Sequence, residues 1–513
     1  MYKLVCLAFM LLWNFSFSGL LCQNTRSDSI MIDMITREGT ENSKTEDLAF
    51  WLTDYSGHRL TGSRNASRGF DVAGKLLNDF GIENIRLEVA NRLYHGGWDN
   101  LKAYAAMTAP YYASFCVNPV AWTGSTRGMI RGRVVLVDIA SEQDIEKYRG
   151  KLKGKIVMIP PDVSEIRSRE MMKAKSQREF RAEDFKEPDS PVQPSQHEEE
   201  ITDSSSTILQ KKIVEFLRRE KAGIILRESF TLYPNVPSAG GSDYSIGDPE
   251  PVPELNLPPE AFGRVERLIR HGIEVRMEIK VKNKFTINDR VSNLIGEIPG
   301  GDPELKDEIV LIGAHLDSWH GGTGAGDNAA ACVVMMETMR ILKTIGIQPR
   351  RTIRIALWDG EEHGFLGSSG YVQKYLFDPV TKTRKPEYSR FSVYYNMDNA
   401  SGKFRGIYLH GNTEAQTLFE TWLAPFNEKG CSIVSLKSYG NTDHVVFDEI
   451  NLPAFIFIQE HNEHSRAHHT IADTYERLNI TDLQNNAIIL AYIVYKSAMS
   501  DQKIPRKTPV NTF

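Results

Sequence analysis

Short apolar runs that alternate with helical stretches from Asn288 to Met499 constrain the fold of this chain most. Five runs are apolar at nearly every position: EIVLIGAH, TIRIALW, SVYYNMD, GIYLHG and PAFIFIQ. A helical stretch between two of them, NAAACVVMMETMRILKTIG, is apolar on most sides. Strands buried on both faces and separated by helices are typical of a sheet with helices on both sides. The sequence therefore predicts an α/β fold with a mixed, mostly parallel sheet sandwiched by helices.

The remainder of the chain predicts a second unit. At 513 residues the chain is long for one domain. Strand-like runs such as GRVVLVD and GKIVMIP follow Trp122, and a charged stretch at 165–206 comes after them. Because this stretch is poor in apolar residues, we expect it to be flexible. We predict four segments after residue 22: an N-terminal part of the catalytic domain at 23–121, an inserted β-rich domain at 122–282, the main catalytic part at 283–499 and a polar tail at 500–513.

The first 22 residues have the pattern of a secretory signal. A single lysine precedes an unbroken apolar run from Leu4 to Trp13, and polar residues dominate from Gln23. This run is too short to span a bilayer and has the length of a signal-peptide core, although a buried N-terminal helix is the alternative. No later stretch is long and apolar enough to span a bilayer. We therefore expect a secreted or periplasmic protein without an integral membrane segment.

The charge of the chain argues against nucleic acid as the main partner. The formal net charge is only -5 over 513 residues. A protein that binds phosphate backbones needs a concentrated basic face, and no stretch combines a basic excess with interleaved aromatic residues. We expect no nucleic-acid partner.

Histidines and carboxylates follow the ends of several predicted strands. They are His315 and Asp317 after EIVLIGAH, Asp327 in the loop GGTGAGDN, Glu361 and Glu362 after TIRIALWDG, Asp398 after SVYYNM, and His468 and His469 after PAFIFIQE. Taken alone, an acidic residue at a helix start is commonly a cap. In an open α/β sheet, however, ligands bind beyond the carboxyl ends of the strands. The coincidence of such residues in several connections predicts a site at one edge of the sheet.

The composition of this group predicts zinc. Carboxylates gathered at one edge would repel one another unless cations bind there. Zinc suits mixed imidazole and carboxylate ligands, whereas calcium and magnesium prefer oxygen alone. Two zinc ions would be balanced by a bridging hydroxide and three carboxylates, those of Asp327, Glu362 and Asp398. Glu361 would then be free to carry protons as a general base.

Six motifs in this region carry a family resemblance. In chain order they are HLDSW, GAGDNAAA, GEEHGFLGSSGY, NMDNAS, NTDHVVF and HHTIADT. From about Asn288 to Met499 the chain resembles the co-catalytic di-zinc exopeptidases of the bacterial leucyl aminopeptidase type. In position, the segment 122–282 is similar to the protease-associated domain that interrupts the catalytic domain of this family. The resemblance implies a secreted metallopeptidase with two zinc ions per chain, which hydrolyses short peptides with a zinc-bridging water.

The resemblance also implies the metal ligands. It places His315 and Asp398 on one zinc, Glu362 and His469 on the other, and Asp327 between the two. His469 is preferred to His468 because it precedes TIADT, as in the family's His-Thr motif.

Three further residues receive catalytic roles from the same resemblance. Glu361 becomes the general base, and Asp317 orients the imidazole of His315. Tyr439 matches a tyrosine that stabilises the tetrahedral intermediate in some relatives. The family often forms dimers, so the resemblance leaves both a monomer and a homodimer open.

The acidic surroundings of the predicted site indicate which end of the substrate is recognised. A carboxypeptidase needs a fixed cation, usually arginine, for the terminal carboxylate. Arg466 is the only arginine near the predicted ligands in sequence, and it lies in a polar stretch. We therefore expect an enzyme that removes N-terminal residues from short peptides and dipeptides. Two alternatives stay open, a glutaminyl cyclase-like enzyme with one zinc on the same fold and a non-catalytic binding ectodomain.

Overall fold

The computed structural model describes residues 28–161, 205–228, 236–238, 240–399, 401–460 and 464–508. The expected signal segment at 1–22 and nearly all of the charged segment at 165–206 lie outside the described residues. Among the residues that the structure describes, no helix has the length and apolar character that crossing a bilayer requires.

The described residues form strands and helices in the following chain order. The strands are β1 Glu83–Arg92, β2 Gly97–Ala109, β3 Ala113–Phe115, β4 Asn118–Pro119, β5 Ile130–Leu136, β6 Ile156–Ile159, β7 Ile224–Glu228, β8 Glu254–Leu257, β9 Arg276–Thr286, β10 Arg290–Ile298, β11 Ile309–His315, β12 Thr352–Trp358, β13 Phe377–Asp378, β14 Thr383–Arg384, β15 Phe391–Asn396, β16 Phe404–Tyr408, β17 Ile433–Ser435 and β18 Ala454–Gln459. The helices are α1 at 28–41, α2 Thr45–Phe50, α3 Arg64–Asp79, α4 Ser205–Arg219, α5 Pro259–Arg270, α6 Ala330–Thr344, α7 Leu366–Tyr371, α8 Pro386–Arg390, α9 Gln416–Leu423, α10 Val445–Asp448, α11 His464–Ala467 and α12 Ile480–Met499.

The first sheet has eight strands in the order β1-β10-β12-β11-β15-β18-β16-β17. The central strands β12, β11, β15 and β18 are parallel to their neighbours in this group. Strands β1 and β10 pair antiparallel on one side, and β16 pairs antiparallel with β18 on the other. This arrangement confirms the prediction of a mixed α/β fold.

Helices cover both faces of this sheet because its strands are apolar on both sides. On β11, Val310 and Ile312 point into a core that includes α6 and α12, whereas Ile309 and Leu311 point into a second core. The second core contains aromatic residues of α7, α8 and α10, with Trp358 at its centre. Alternation of side chains along a strand produces this division. Because it is packed on both faces, the sheet holds the ends of its strands rigidly.

A second eight-stranded sheet has the order β3-β2-β9-β5-β6-β7-β8-β4. The chain enters it directly after β1 and leaves it directly before β10, which are neighbours in the first sheet. This sheet reaches beyond the predicted insert at 122–282, because it includes β2 and ends at Thr286. Strand β2 belongs to this sheet because it pairs with β9 along nearly its whole length. The division of the chain into domains stays a prediction.

Residues 500–508, which we expected to form part of a polar tail, lie against the catalytic part. Ile504 is buried, and Lys507 Nζ donates to Asp448 Oδ2 at 2.8 Å. The carbonyl of Pro505 accepts a hydrogen bond from Asn412.

Candidate metal centre

The carboxyl ends of the parallel strands bring the predicted ligands to one edge of the first sheet. His315 is the last residue of β11, Glu361 and Glu362 follow β12, and Asp398 follows β15. Since β12, β11 and β15 are adjacent and parallel, their ends lie side by side. Asp327 lies in Ala325–Ala329, directly before α6.

Two groups of side chains at this edge share Asp327. In the first group, His315 Nε2 lies 3.3 Å from Asp327 Oδ1 and 3.3 Å from Asp398 Oδ1. In the second, His469 Nε2 lies 3.1 Å from Asp327 Oδ2 and 2.9 Å from Glu362 Oε2. Each carboxylate oxygen of Asp327 therefore faces a different imidazole.

His468 lies close to the second group but is less well placed in it. Its Nε2 atom is 3.6 Å from Asp327 Oδ2, against 3.1 Å for His469. The two imidazole rings are stacked, with centroids 3.7 Å apart. Asp327, His468 and His469 nevertheless lie close enough together to hold one cation, so the choice of His469 stays a prediction.

The chemistry of these donors fits zinc. Imidazole nitrogens and carboxylate oxygens are zinc ligands, and each group has the number of protein ligands that a zinc site with an open position has. The Oε1 atom of Glu362 is buried and has no hydrogen-bond partner among the described residues. A buried carboxylate oxygen without a partner is costly unless a cation or another donor meets it. His315 Nδ1 faces the carbonyl of Asp317 at 3.0 Å, which leaves Nε2 for a metal.

The pKa values show how strongly these groups depend on one another. Burial opposes charge on His315, yet the carboxylates of Asp398 and Glu361 raise its pKa well above its ordinary value. Burial and the charge of Asp327 raise the pKa of Glu362 to about 7. Despite its own burial, Asp327 has a pKa well below the ordinary range because it accepts from His315 and His469. Imidazoles and carboxylates that share protons in this way are groups that a cation can neutralise instead.

Glu361 and Asp317 lie directly behind the two groups. Glu361 is buried, and burial together with the charge of Asp398 raises its pKa well above the ordinary value, although the nearby His315 acts in the opposite direction. The Asp317 carboxylate accepts from the main-chain N–H of Glu361 and of Glu362, at 3.2 and 3.3 Å. It also accepts from the hydroxyl of Thr61 at 3.2 Å. The carboxylate of Asp317 therefore fixes the backbone of both glutamates, whereas the imidazole of His315 lies nearer to its carbonyl.

Tyr439 approaches the site from the periphery. The hydroxyl of Tyr439 donates to Asn399 Oδ1 at 2.6 Å, one residue after Asp398. Burial raises the pKa of Tyr439, so its phenol keeps its proton. Arg466 lies in α11 and is exposed.

A buried arginine, Arg59, is a feature that the sequence pattern did not reveal. Arg59 from the N-terminal part lies beneath the loop between His315 and Asp327. Its guanidinium donates to carbonyl oxygens of that loop and of the preceding segment: Leu316 at 2.6 Å, Thr323 at 2.6 Å, Gly324 at 2.7 Å, Leu52 at 2.8 Å and Gly57 at 3.3 Å. It lies in the stretch SGHRLTGSRN, which in sequence alone has the appearance of a polar turn.

Asp473 is a second residue that the sequence pattern did not single out. Its carboxylate accepts from the N–H of Gly326 at 2.6 Å and of Asp327 at 3.1 Å. It therefore holds the main chain that carries the shared ligand. The signal was present, because Asp473 is the acidic residue of the TIADT motif.

Comparisons with known proteins show which chains this one is similar to. The profile of peptidase family M28 matches residues 293–494. Human carboxypeptidase Q is 23% identical over 488 residues, which cover 93% of this chain and 89% of the human protein.

Solved structures share the fold. A peptidase M28 precursor from Shewanella amazonensis superposes with a TM-score of 0.66 at 20% identity, covering 94% of this chain and all of the other. A zinc aminopeptidase from Bacillus subtilis superposes with a TM-score of 0.53 at 19% identity, covering 90% of this chain and 96% of the other. Residues 293–494 are therefore similar to peptidase family M28, and the comparisons together identify the chain as a zinc metallopeptidase.

Proposed function

We propose that this enzyme removes N-terminal residues from short peptides and dipeptides with two zinc ions per chain. The observation that carries the proposal is the position of Asp327: one of its carboxylate oxygens faces His315, and the other faces His469. His315 and Asp398 would complete one site, and Glu362 and His469 the other. A bridging carboxylate between two such groups suits a pair of ions.

The chemistry follows from what surrounds the two groups. When bound, zinc supplies a polarised scissile carbonyl and a water of lowered pKa. Glu361 would accept the proton of the attacking water and deliver it to the leaving amine. Asp317 would fix the main chain of Glu361 and Glu362 by accepting from their N–H groups. The Tyr439 hydroxyl would turn from Asn399 to donate to the oxyanion.

The charges around the site favour recognition of the amino end. Glu361 and Asp398 offer acceptors for an α-ammonium group. Arg59 cannot serve a substrate carboxylate, because it is fully buried and its N–H groups bond main-chain carbonyls. This supports an aminopeptidase or dipeptidase, and the zinc aminopeptidase from Bacillus subtilis on the same fold is consistent with it.

Location and domain identity also belong to the proposal. The apolar run at Leu4 to Trp13 supports export through a signal peptide. The position of the second sheet, inserted between two neighbouring strands of the first, supports a protease-associated type of domain.

The test compares a tripeptide with its N-acetylated form and its C-terminal amide. Acetylation should abolish cleavage, and amidation should be tolerated. Cleavage of the acetylated peptide but not of the amide would mean that the carboxylate is recognised, and Arg466 would then be the first residue to mutate. Cyclisation of N-terminal glutamine without peptide hydrolysis would favour the cyclase alternative.

A further inference from the structure

A short segment associated with the second sheet pairs with the loop that carries His469. The N–H of Ser238 donates to the carbonyl of His469 at 2.9 Å, and the N–H of Ile471 donates to the carbonyl of Val236 at 2.9 Å. Between these two bonds, Pro237 and Thr470 form an antiparallel bridge. Residues 236–238 follow β7 of the second sheet, whereas 469–471 follow α11 of the catalytic part. A direct main-chain connection thus joins the two units at a proposed zinc ligand.

The main chain of His469 needs such support. Its φ angle is 55°, in the left-handed region that residues other than glycine adopt infrequently. Such a conformation persists where neighbouring contacts fix it. Within its own loop, Thr470 donates to the carbonyl of Ala467 from its N–H at 3.0 Å and from its hydroxyl at 2.8 Å. The bonds that join Ser238 to His469 and Ile471 to Val236 come from the other unit.

The segment 236–238 is itself firmly attached. The side chain of Asn118, in β4, donates to the carbonyl of Pro237 at 3.1 Å and lies 3.3 Å from His320 Nε2. Asn118 is 5% exposed, so this attachment is shielded from water. Farther along the chain, Ser242 donates from its N–H to the carbonyl of Ala121 at 3.0 Å. A segment held through the carbonyl of Pro237 can transmit its position to the loop it pairs with.

The same segment forms a wall of the cavity beside the candidate metal centre. The residues around this cavity include Ser238, Trp319, Asp327, His469 and Thr470. Ser238 is buried at 3% exposure, so it belongs to the inner surface of the site.

We propose that residues 236–238 act as a positioning clamp for His469, so that the second unit completes the zinc site formed by His469, Glu362 and Asp327. This proposal rests on the proposed function, because it assigns a role toward the second zinc ion. The clamp would set the distance of His469 from Glu362 and Asp327 by fixing the main chain at the carbonyl of His469 and the N–H of Ile471. The zinc site of His315 and Asp398 does not depend on it.

The experiment compares Ser238→Pro with Ser238→Ala. Proline removes the N–H that donates to His469, and alanine keeps it. Zinc release is followed by competition with a chromogenic chelator on the full chain. We expect Ser238→Pro to lower the affinity for one of the two zinc ions by about 10- to 100-fold, as loss of a ligand-orienting contact does. The affinity for the other ion should stay unchanged. Ser238→Ala should match the wild type at both sites. In the cadmium NMR spectrum of the cadmium-substituted protein, Ser238→Pro should shift one of the two cadmium resonances.

Wild-type affinity for both ions in folded Ser238→Pro would overturn the proposal. Asn118→Asp supplies a second variant for the case in which Ser238→Pro does not fold, because it keeps the size of Asn118 and removes the donor to Pro237. Selective weakening of one ion in Asn118→Asp supports the clamp, and wild-type affinity for both ions overturns it. A wild-type protein that binds fewer than two zinc ions would contradict the proposed function instead.

Discussion

The carboxylate of Asp317 accepts a hydrogen bond from the main-chain N–H of Glu361, at 3.2 Å. A second oxygen of the same carboxylate accepts from the next N–H, that of Glu362. One buried carboxylate thus fixes the main chain of two consecutive glutamates. This contact explains how the pair can have two environments, with Glu362 against His469 and Glu361 free of that contact.

Asp317→Asn should weaken the site without removing any proposed ligand. Asparagine can offer only one oxygen to the two N–H groups and turns its amide N–H toward the other. We expect zinc affinity or turnover to fall by about 10- to 100-fold. Chelator competition and dipeptide turnover measure the two effects. Asp307→Asn, at an exposed position, is the matched control and should behave as the wild type.

Glu361→Gln and Glu362→Gln should separate proton transfer from metal binding. Loss of a general base lowers turnover by about 10²- to 10⁴-fold, so we expect such a fall in Glu361→Gln with zinc content close to wild type. Glu362→Gln should lose zinc, because Glu362 Oε2 is within 2.9 Å of His469 and its other oxygen has no partner among the described residues. Zinc loss in Glu361→Gln alone would show that the two roles are reversed.

His469→Ala and His468→Ala form a pair that tests the choice between adjacent imidazoles. His469 contacts both Asp327 and Glu362, whereas His468 lies farther from Asp327, at 3.6 Å. We expect His469→Ala to lose one zinc ion and His468→Ala to keep both. Zinc content of the two purified proteins decides between them, and the reverse pattern would assign the ligand to His468.

Arg59→Met should destabilise the fold. The substitution leaves several main-chain carbonyls, among them those of Leu316 and Thr323, without a buried donor. We expect the free energy of unfolding to fall by about 3 kcal/mol or more. Urea unfolding measures this change. Arg68→Met is the control, because exposed Arg68 also donates to a carbonyl, that of Tyr55, but does so in water; an equal effect of the two substitutions would contradict a special role of Arg59.

The sequence pattern was sufficient to predict the strands around the site and the residues at their ends. Apolar runs such as EIVLIGAH cannot be exposed on either face, so they must lie inside a sheet covered by helices. Parallel neighbours then place their carboxyl ends together, which explains why His315, Glu361 and Asp398 lie at one edge. For these three residues the prediction needs only the apolar pattern of each strand and the pairing of neighbouring strands, and it does not depend on the conformation of the loops.

The remaining features could not be predicted because they depend on contacts between distant segments. Arg59 bonds main-chain carbonyls, and a carbonyl acceptor has no signature in the sequence. The pairing of Ser238 with His469 is a single bridge and lacks the alternation by which strands are recognised. The second sheet begins earlier than predicted because β2 pairs with β9 along nearly its whole length, and the mixed polarity of β2 hides this strand in the sequence.

The zinc content of the folded protein tests the central claim most directly. Protein purified without chelator, or reloaded with zinc and freed of excess, should contain two zinc ions per chain by elemental analysis. His315→Ala should lower the affinity of one ion only, because His315 belongs to one of the two groups that share Asp327. A folded wild-type protein that holds one zinc ion or none, and that added zinc cannot fill further, would contradict the account.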